Sequence, residues 1–190
     1  PDPPLPNFCS SCGSDKMVIK NPPGDERSRA CCEDCAAISY VNPKVVVSLV
    51  LFQRSKKGVD QNHSPPLSCL LAKRAIEPRL GFWGIPQGYM ELGETTREAT
   101  AREACEETGA VVNPDDLKLA AIYNVPGSVQ LVYQGIMDEE DIVSVSSQTS
   151  ESSAVQFYDV DDLPALCFPT VQWAIDHCCR RALERITTVQ

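Results

Sequence analysis

The chain has no apolar run approaching the roughly 20 residues that a membrane-spanning helix needs. Its longest, VVVSLVLF over residues 45–52, is the length of one buried strand. Positive charge is also in deficit. Lysine and arginine number 17 against 26 aspartates and glutamates, a net charge of −9, so no net basic field exists to hold a nucleic-acid backbone. That deficit disfavours a general nucleic-acid binder but not a nucleotide, whose phosphates a metal ion can neutralise locally. Histidine is scarce: His63 and His177 have no partner at ligand spacing and read as core or surface residues. No internal repeat interrupts the 190 residues, so a solenoid is excluded.

What remains is globular in composition, 43% apolar and 23% charged, and of a length suited to one domain with a small appendage. Cysteine is plentiful, with ten in all, but six are scattered and four form two tight pairs, Cys9-x2-Cys12 and Cys32-x2-Cys35. Two such knuckles at this separation suit a tetrahedral four-thiolate zinc site better than a disulfide framework, and imply a reducing compartment. Gly13 follows the first pair and eases its turn, whereas Ala36 holds the equivalent place in the second. Residues 8–40 carry few apolar side chains, so structural zinc rather than a core is expected to fold them.

The organisation follows from composition. Residues 1–7 (PDPPLPN) read as a flexible lead-in, 8–40 as the zinc ribbon and 41–190 as the main domain. Strands are expected at 45–52, 67–72, 117–125, 128–137 and 153–160, with polar loops at 53–66 and 144–153. Residues 78–93, rich in glycine, proline and aromatics, predict a structured loop. A helix over 95–108 opens on a Thr95/Glu98 capping box and ends before Gly109, with Ala101, Ala104, Cys105 and Thr108 as its packing face. A second helix over about 169–186 places Ala174, Ile175, Cys178 and Ala182 on one side. Strands mixed with two helices predict an α/β or α+β sandwich.

Within the first helix, REACEETG (102–109) sets Glu103 three and four positions from Glu106 and Glu107. Like charges at such spacings destabilise a helix by a few tenths of a kcal/mol per pair, about 0.2–0.5. A cation relieves the repulsion, and hard divalent ions that take carboxylate oxygens commonly share their sphere with substrate phosphates. A glycine-containing loop before such a helix therefore points to metal-assisted phosphoryl chemistry.

The stretch GYMELGETTREATAREACEETGA (88–110) resembles the Nudix hydrolase box, G-x5-E-x7-R-E-U-x-E-E-x-G-U, with Gly88, Glu94, Arg102, Glu103, Glu106, Glu107 and Gly109 at its fixed positions and Ala104 and Ala110 at its aliphatic ones. The resemblance implies an α/β/α sandwich with a mixed sheet, preceded by the N-terminal zinc ribbon. It implies that Glu103, Glu106 and Glu107, with the Gly88 carbonyl, hold Mg2+ or Mn2+, and that one glutamate helps deprotonate water. It also implies that Glu94 and Arg102 clamp loop to helix, and that the reaction is hydrolysis of a nucleoside diphosphate linked to another group.

Two zinc-ribbon groups of that family are similar. Residues 38–47, 76–94 and the pattern SESSAVQFYDVDDLPALCFPTV resemble the plant chloroplast FAD/ADP-ribose pyrophosphatase type. NADH/NAD-cap pyrophosphatases are the alternative, but their SQPWPFP-like motif is missing, since Ser147-Gln148 is followed by Thr149-Ser150-Glu151. The leading expectation is FAD cleavage to FMN and AMP, with ADP-ribose as a further small-molecule dinucleotide-type substrate; a catalytically idle nucleotide sensor is the reading from another class. Arg74, Arg79 and Trp83 are candidate substrate contacts, with surface or packing roles as alternatives, and Glu151 matches the mobile catalytic glutamate of some ADP-ribose hydrolases. Gln87 departs from the glycine or alanine more usual before the box glycine. Homodimerisation and a plastid location are expected from the resemblance alone, with cytoplasm the alternative; opening at Pro1 rather than Met is expected of a trimmed or processed product.

Overall fold

The structure is a computed structural model that describes residues 3–54, 67–138 and 150–187. Most of the loops expected at 53–66 and 144–153 lie outside those residues, as does the side chain of Ala182. The chain divides into two units, Pro1–Pro43 and Lys44–Gln190.

The first unit is a three-stranded antiparallel sheet, β1 (Met17–Lys20), β2 (Arg29–Cys32) and β3 (Ile38–Ser39). Among its described residues the apolar core is small: Cys9, Met17, Ala30 and Cys32 cluster, with Ile19 and Ala37 packed against them. So small a core cannot offset the conformational entropy of the segment. The four thiols of Cys9, Cys12, Cys32 and Cys35, whose sulfurs all lie within 4.8 Å of one another, are placed to hold a metal whose binding would supply the rest. The Cys9–Cys35 and Cys12–Cys32 pairs are each 3.6 Å apart, far too long for a disulfide. They lie close to the roughly 3.8 Å edge of a tetrahedron with ~2.3 Å metal–sulfur bonds. The four thiols titrate together: backbone N–H groups of Ser11 and Cys12 hold Cys9 down at about 6 and those of Cys35 and Asp34 lower Cys32, while hydrogen bonds from neighbouring sulfurs raise Cys12 and Cys35. The two knuckles close alike, Gly13 N–H donating to Cys9 O and Ala36 N–H to Cys32 O. Both residues are left-handed, at φ +75° and +60°, so Ala36 accepts a conformation that glycine adopts without penalty. The purified protein is expected to carry one zinc ion per chain by elemental analysis, and Cys35→Ser to abolish it and unfold the ribbon; full zinc content in that variant would refute the site.

The second unit is built on β4 (Lys44–Arg54), eleven residues long and buried through most of its length because Val, Leu and Phe dominate it. It runs parallel to β9 (Ser128–Asp138) along its whole length, and β9 pairs antiparallel with β8 (Lys118–Val125). On the other side, β5 (Leu67–Arg74) meets β4 only at its outer end, Leu67–Cys69 against Phe52–Arg54, and then pairs with β10 (Ser152–Asp159). The strands splay apart from there, and two short strands fill the gap: β6 (Trp83–Gly84) on β5 and β7 (Gln87–Tyr89) on β4. These lie in the segment predicted as a structured loop. The sheet is therefore mixed, with order β10-β5-β4-β9-β8 and a wedge in its middle.

Helix α2 (Pro169–Thr187) covers one face, where Val171, Ala174, Ile175 and Cys178 meet Val50, Phe52, Cys69, Leu71 and Val132. Helix α1 (Thr96–Thr108) covers the other, packing Ala104 on Leu49, Leu51, Leu70 and Tyr133. The Thr95/Glu98 capping box and left-handed Gly109 bound α1 as expected. Its packing face is rotated from the expected one. Ala99, Thr100, Ala104 and Thr108 are buried while Cys105 is exposed, because each residue turns about 100° and Cys105 falls past the edge of the buried arc. The same rotation carries Glu103 and Glu107 toward the sheet and leaves Glu106 outside.

Two polar features mark the sheet. Tyr133 Oη lies 2.6 Å from Thr96 Oγ1, pinning the start of α1 to β9. Ser48 Oγ on β4 is buried with no hydrogen-bond partner among the described residues, a state that costs about 1–3 kcal/mol. Tyr133→Phe is expected to lower stability by about 1 kcal/mol in denaturant titration, the worth of one hydrogen bond; an unchanged midpoint would refute that pinning.

Candidate functional site

The wedge brings the glycine of the loop against the carboxylates of α1. Gly88 pairs with Val47, and a Cβ placed on it would lie 2.2 Å from the Glu103 carboxyl, so only glycine permits this approach. Next to it, Gln87 N–H donates to Glu107 Oε2 at 3.1 Å. Arg102 supplies the remaining order. Its Nε and Nη2 grip both oxygens of Glu94 at 3.0 and 2.8 Å, Nη2 also donates to Tyr89 O, and Nη1 donates to Glu103 and Glu106 at 2.8 and 3.0 Å. Glu94 Oε1 in turn accepts from Glu91 N–H at 2.6 Å. One guanidinium thus ties the loop 89–94 to the helix.

Burial grades the three box carboxyls. Glu107 is the most enclosed; desolvation, opposed by the Gln87 N–H and assisted by the charges of Glu103 and Glu151, raises its carboxyl to about 8. Desolvation also raises Glu103, against the pull of Arg102. Glu106 is exposed at the rim. Among the described residues only the cysteines gather their ligand atoms within 4.8 Å, so the glutamates here are spread between Arg102 and the Gln87 amide. The donor set nevertheless fits a hard divalent cation: carboxylate oxygens, two of them partly desolvated, beside a backbone that a glycine lets approach.

A narrow cleft with a cavity volume of about 20 Å3 opens on this cluster, lined by Arg74, Gly84, Gln87, Glu107, Glu151 and Cys167 among others. It lies in the gap where β4 and β5 part. Glu151, just before β10, therefore lines the same cavity as Glu107, and its carbonyl accepts from Ala75 N–H at 2.8 Å. Arg74, at the end of β5, lines it too, its Nε fixed on Pro78 O at 2.7 Å. Arg79 does not line this cleft. It adopts φ +67° and sets its guanidinium 5.7 Å from the Phe82 ring centre. Trp83 packs against the α2-side core, edge-on to Tyr158 with ring centres 4.9 Å apart. A larger depression beside Leu51, Val112 and Met137 shares no lining residue with the cleft.

Gln87, Ser152 and Cys167 line the cleft without having been singled out as site residues. Gln87 was visible only as a departure from the usual loop; the other two carry no local signal, since tertiary folding alone delivers them.

Two outcomes follow from this geometry. Gly88→Ala is expected to displace Glu103 and to weaken divalent-metal binding by at least about tenfold, read by calorimetry, with circular dichroism unchanged. Native affinity in that variant would refute the close approach. Glu107 sets a pH dependence. Its folded value of about 8 exceeds its ordinary 4.5, so folding favours the protonated form. Protein free of Mg2+ is expected to lose stability as pH rises from about 4.5 to 8, and Glu107→Gln to flatten that slope in denaturation curves taken across the range.

Comparison with known proteins matches both units. The NUDIX domain profile covers residues 42–177, and the Nudix N-terminal zinc-ribbon profile covers residues 7–41. The chain is 29% identical over 135 residues to an ADP-ribose pyrophosphatase of Methanocaldococcus jannaschii, spanning 68% of this chain and 69% of that protein. It is 24% identical over 157 residues to the NAD-capped RNA hydrolase NudC of Vibrio cholerae, covering 83% of this chain but only 51% of that protein, so it spans about half of that relative. Among solved structures, a NUDIX hydrolase from Nitrosomonas europaea superposes with a TM-score of 0.71 at 29% identity, covering 88% of this chain and 87% of that one. With a box glycine seated on a carboxylate helix and a four-cysteine ribbon ahead of it, the chain belongs to the Nudix hydrolase family.

Proposed function

We propose that this protein is a divalent-metal-dependent pyrophosphohydrolase that cleaves FAD to FMN and AMP and also accepts ADP-ribose. The observation that carries the reading is the cleft in the sheet, where Glu107 and Glu151 face one cavity with Arg74 on its wall. The likeness to an ADP-ribose pyrophosphatase supports a diphosphate linked to a nucleoside. Glu103, Glu106 and Glu107, with the Gly88 carbonyl, are assigned to hold Mg2+ or Mn2+. When bound, the metal supplies positive charge to the diphosphate and lowers the pKa of water.

The chain's own groups have separable tasks. Arg74, anchored by Pro78 O, directs positive charge at a diphosphate in the cleft. Glu151 accepts the proton of the attacking water, and the flanking walls of β5 and β10 hold the substrate across that carboxylate. Arg102 keeps Glu94, Glu103 and Glu106 in place and touches no substrate. Trp83 packs in the core; stacking on a substrate ring is not assigned to it. Hydrolysis of NADH or an NAD cap is the second reading, favoured by the likeness to an NAD-capped RNA hydrolase NudC of Chromobacterium violaceum, 26% identical over 92% of this chain.

Glu106→Gln is expected to lower kcat by at least about 10²-fold with an unchanged melting temperature, and Glu151→Gln to lower kcat by about 10²-fold with little change in KM. Full activity in the first variant would remove the metal assignment, and in the second the assignment of the base. Product release from FAD, ADP-ribose, NADH and nucleoside triphosphates, each with Mg2+ or Mn2+, tests the substrate. NADH turned over fastest would displace the FAD reading, and no turnover of any would favour a nucleotide sensor.

A further inference from the structure

The strand register sets Phe82, and not Trp83, beside the cleft. On β5, Ala72 and Arg74 both line it, and so does Ser152, the β10 partner of Arg74, which identifies the cleft face of these strands. Across the β5–β6 pair, Gly84 opposes Ala72 and Trp83 opposes Lys73. Gly84 accordingly lines the cleft, while Trp83 turns to the opposite face and its core. The ladder runs one step beyond β6: Arg74 N–H donates to Phe82 O at 2.9 Å, and Gly81 N–H donates to Arg74 O at 2.9 Å. That pattern, with Gly81 at φ +82°, is a bulge that leaves Phe82 opposite Arg74. Opposed residues share a face with Cβ atoms about 4.5–5.5 Å apart, so Phe82 adjoins the Arg74 side chain on the cleft face.

Phe82 is 36% exposed, and what orients its ring is a cation. A turn closes from Phe82 N–H to Arg79 O at 3.2 Å, and the Arg79 guanidinium lies 5.7 Å from the ring centre. Arg79 sits at φ +67°, a left-handed conformation that costs a residue with a Cβ free energy and that recurs at ligand clamps. An exposed ring, the cation that holds it and a backbone outlier thus stand beside the arginine assigned to the diphosphate.

We propose that Phe82 is the platform on which the adenine ring of the substrate stacks, and that Arg79 is the positioning residue that fixes the platform. An adenine nucleotide carries its charge on the diphosphate and a flat, weakly polar surface at the base, with a ribose between. Arg74 followed by Phe82 offers a cation and a flat apolar surface as neighbours on one face, the complement of those two parts. Adenine is the base named because FAD and ADP-ribose share it, and in ADP-ribose it is the sole aromatic ring. Phe82 is thereby a specificity-determining contact. The platform rests on the pyrophosphohydrolase reading for its ligand.

The test uses the whole chain as Phe82→Leu, Phe82→Tyr, Arg79→Gln and the Phe82→Leu/Arg79→Gln double variant. Dissociation constants for ADP-ribose, FAD, AMP and FMN are measured by calorimetry with Ca2+ in place of Mg2+, and KM and kcat with Mg2+. Phe82→Leu is expected to weaken ADP-ribose, FAD and AMP alike, by about tenfold, and to leave FMN unchanged. Its KM rises with the dissociation constant while kcat changes by less than about twofold, since stacking is kept through the reaction. Phe82→Tyr keeps the ring and is expected to hold every affinity within about twofold of wild type. Arg79→Gln is expected to weaken the adenine ligands about two- to fivefold, and to add nothing further to Phe82→Leu, because it acts only through the ring. Native ADP-ribose affinity in Phe82→Leu would overturn the platform and leave the hydrolase reading standing. A loss confined to FAD and FMN would overturn it too, as would losses from Phe82→Leu and Arg79→Gln that multiply in the double variant. Failure of Phe82→Tyr to bind, with its melting temperature unchanged, would likewise overturn it. Adenine binding that depends on Phe82 without turnover would uphold the platform and remove the hydrolase reading instead.

Discussion

Carboxylates crowded at one end of a helix repel one another, and the catalytic end of this fold depends on the single guanidinium set among them. Arg102 donates to Glu94, Glu103, Glu106 and Tyr89 O, so it holds the loop 89–94 against α1 and partly neutralises two of the three box glutamates. Desolvation weighs most on Glu107, the box glutamate that Arg102 does not reach. The order imposed on the loop continues into β7, whose Gly88 admits Glu103 and whose Gln87 N–H caps Glu107. Without that cation the helix would present three competing anions and the loop would have no fixed path.

The sheet supplies the second condition. A continuous ladder between β4 and β5 would leave no room behind Glu107. The strands instead meet at one end only, and β6 and β7 occupy the widening gap. Backbone groups stay paired there while the cleft opens between Arg74 and Gln87, with Glu151 carried in by β10. Charge from one helix and from the ends of two strands converges because the sheet is split. The ribbon solves a different problem. Its small core cannot hold a fold by itself, and four sulfurs gathered within 4.8 Å would hold a metal whose binding replaces the missing apolar surface.

Much of this was legible in the residues, for local reasons. Helix α1 announces itself because capping box, small packing residues and terminal glycine are short-range signals. Glu103, Glu106 and Glu107 are grouped by helical spacing, and the cysteine pairs by the reach of a turn. The packing face of α1 was misplaced at Cys105, since size and polarity at neighbouring positions do not decide a rotation that the sheet beneath imposes. Arg79 and Trp83 looked like Arg74 from composition, yet they turn to Phe82 and Tyr158 because the turn after β5 and the α2-side core claim them.

By itself the sequence determined the family, the carboxylate helix and the four-thiol ribbon, since each is written in residues a few positions apart. Only the tertiary structure decided that Glu107 is the most desolvated of the box carboxyls, that Arg74 and Glu151 share its cavity, and that Ser48 is buried opposite Gln87. Those facts depend on strand register and on where two strands part, which are set by contacts between residues distant in the chain.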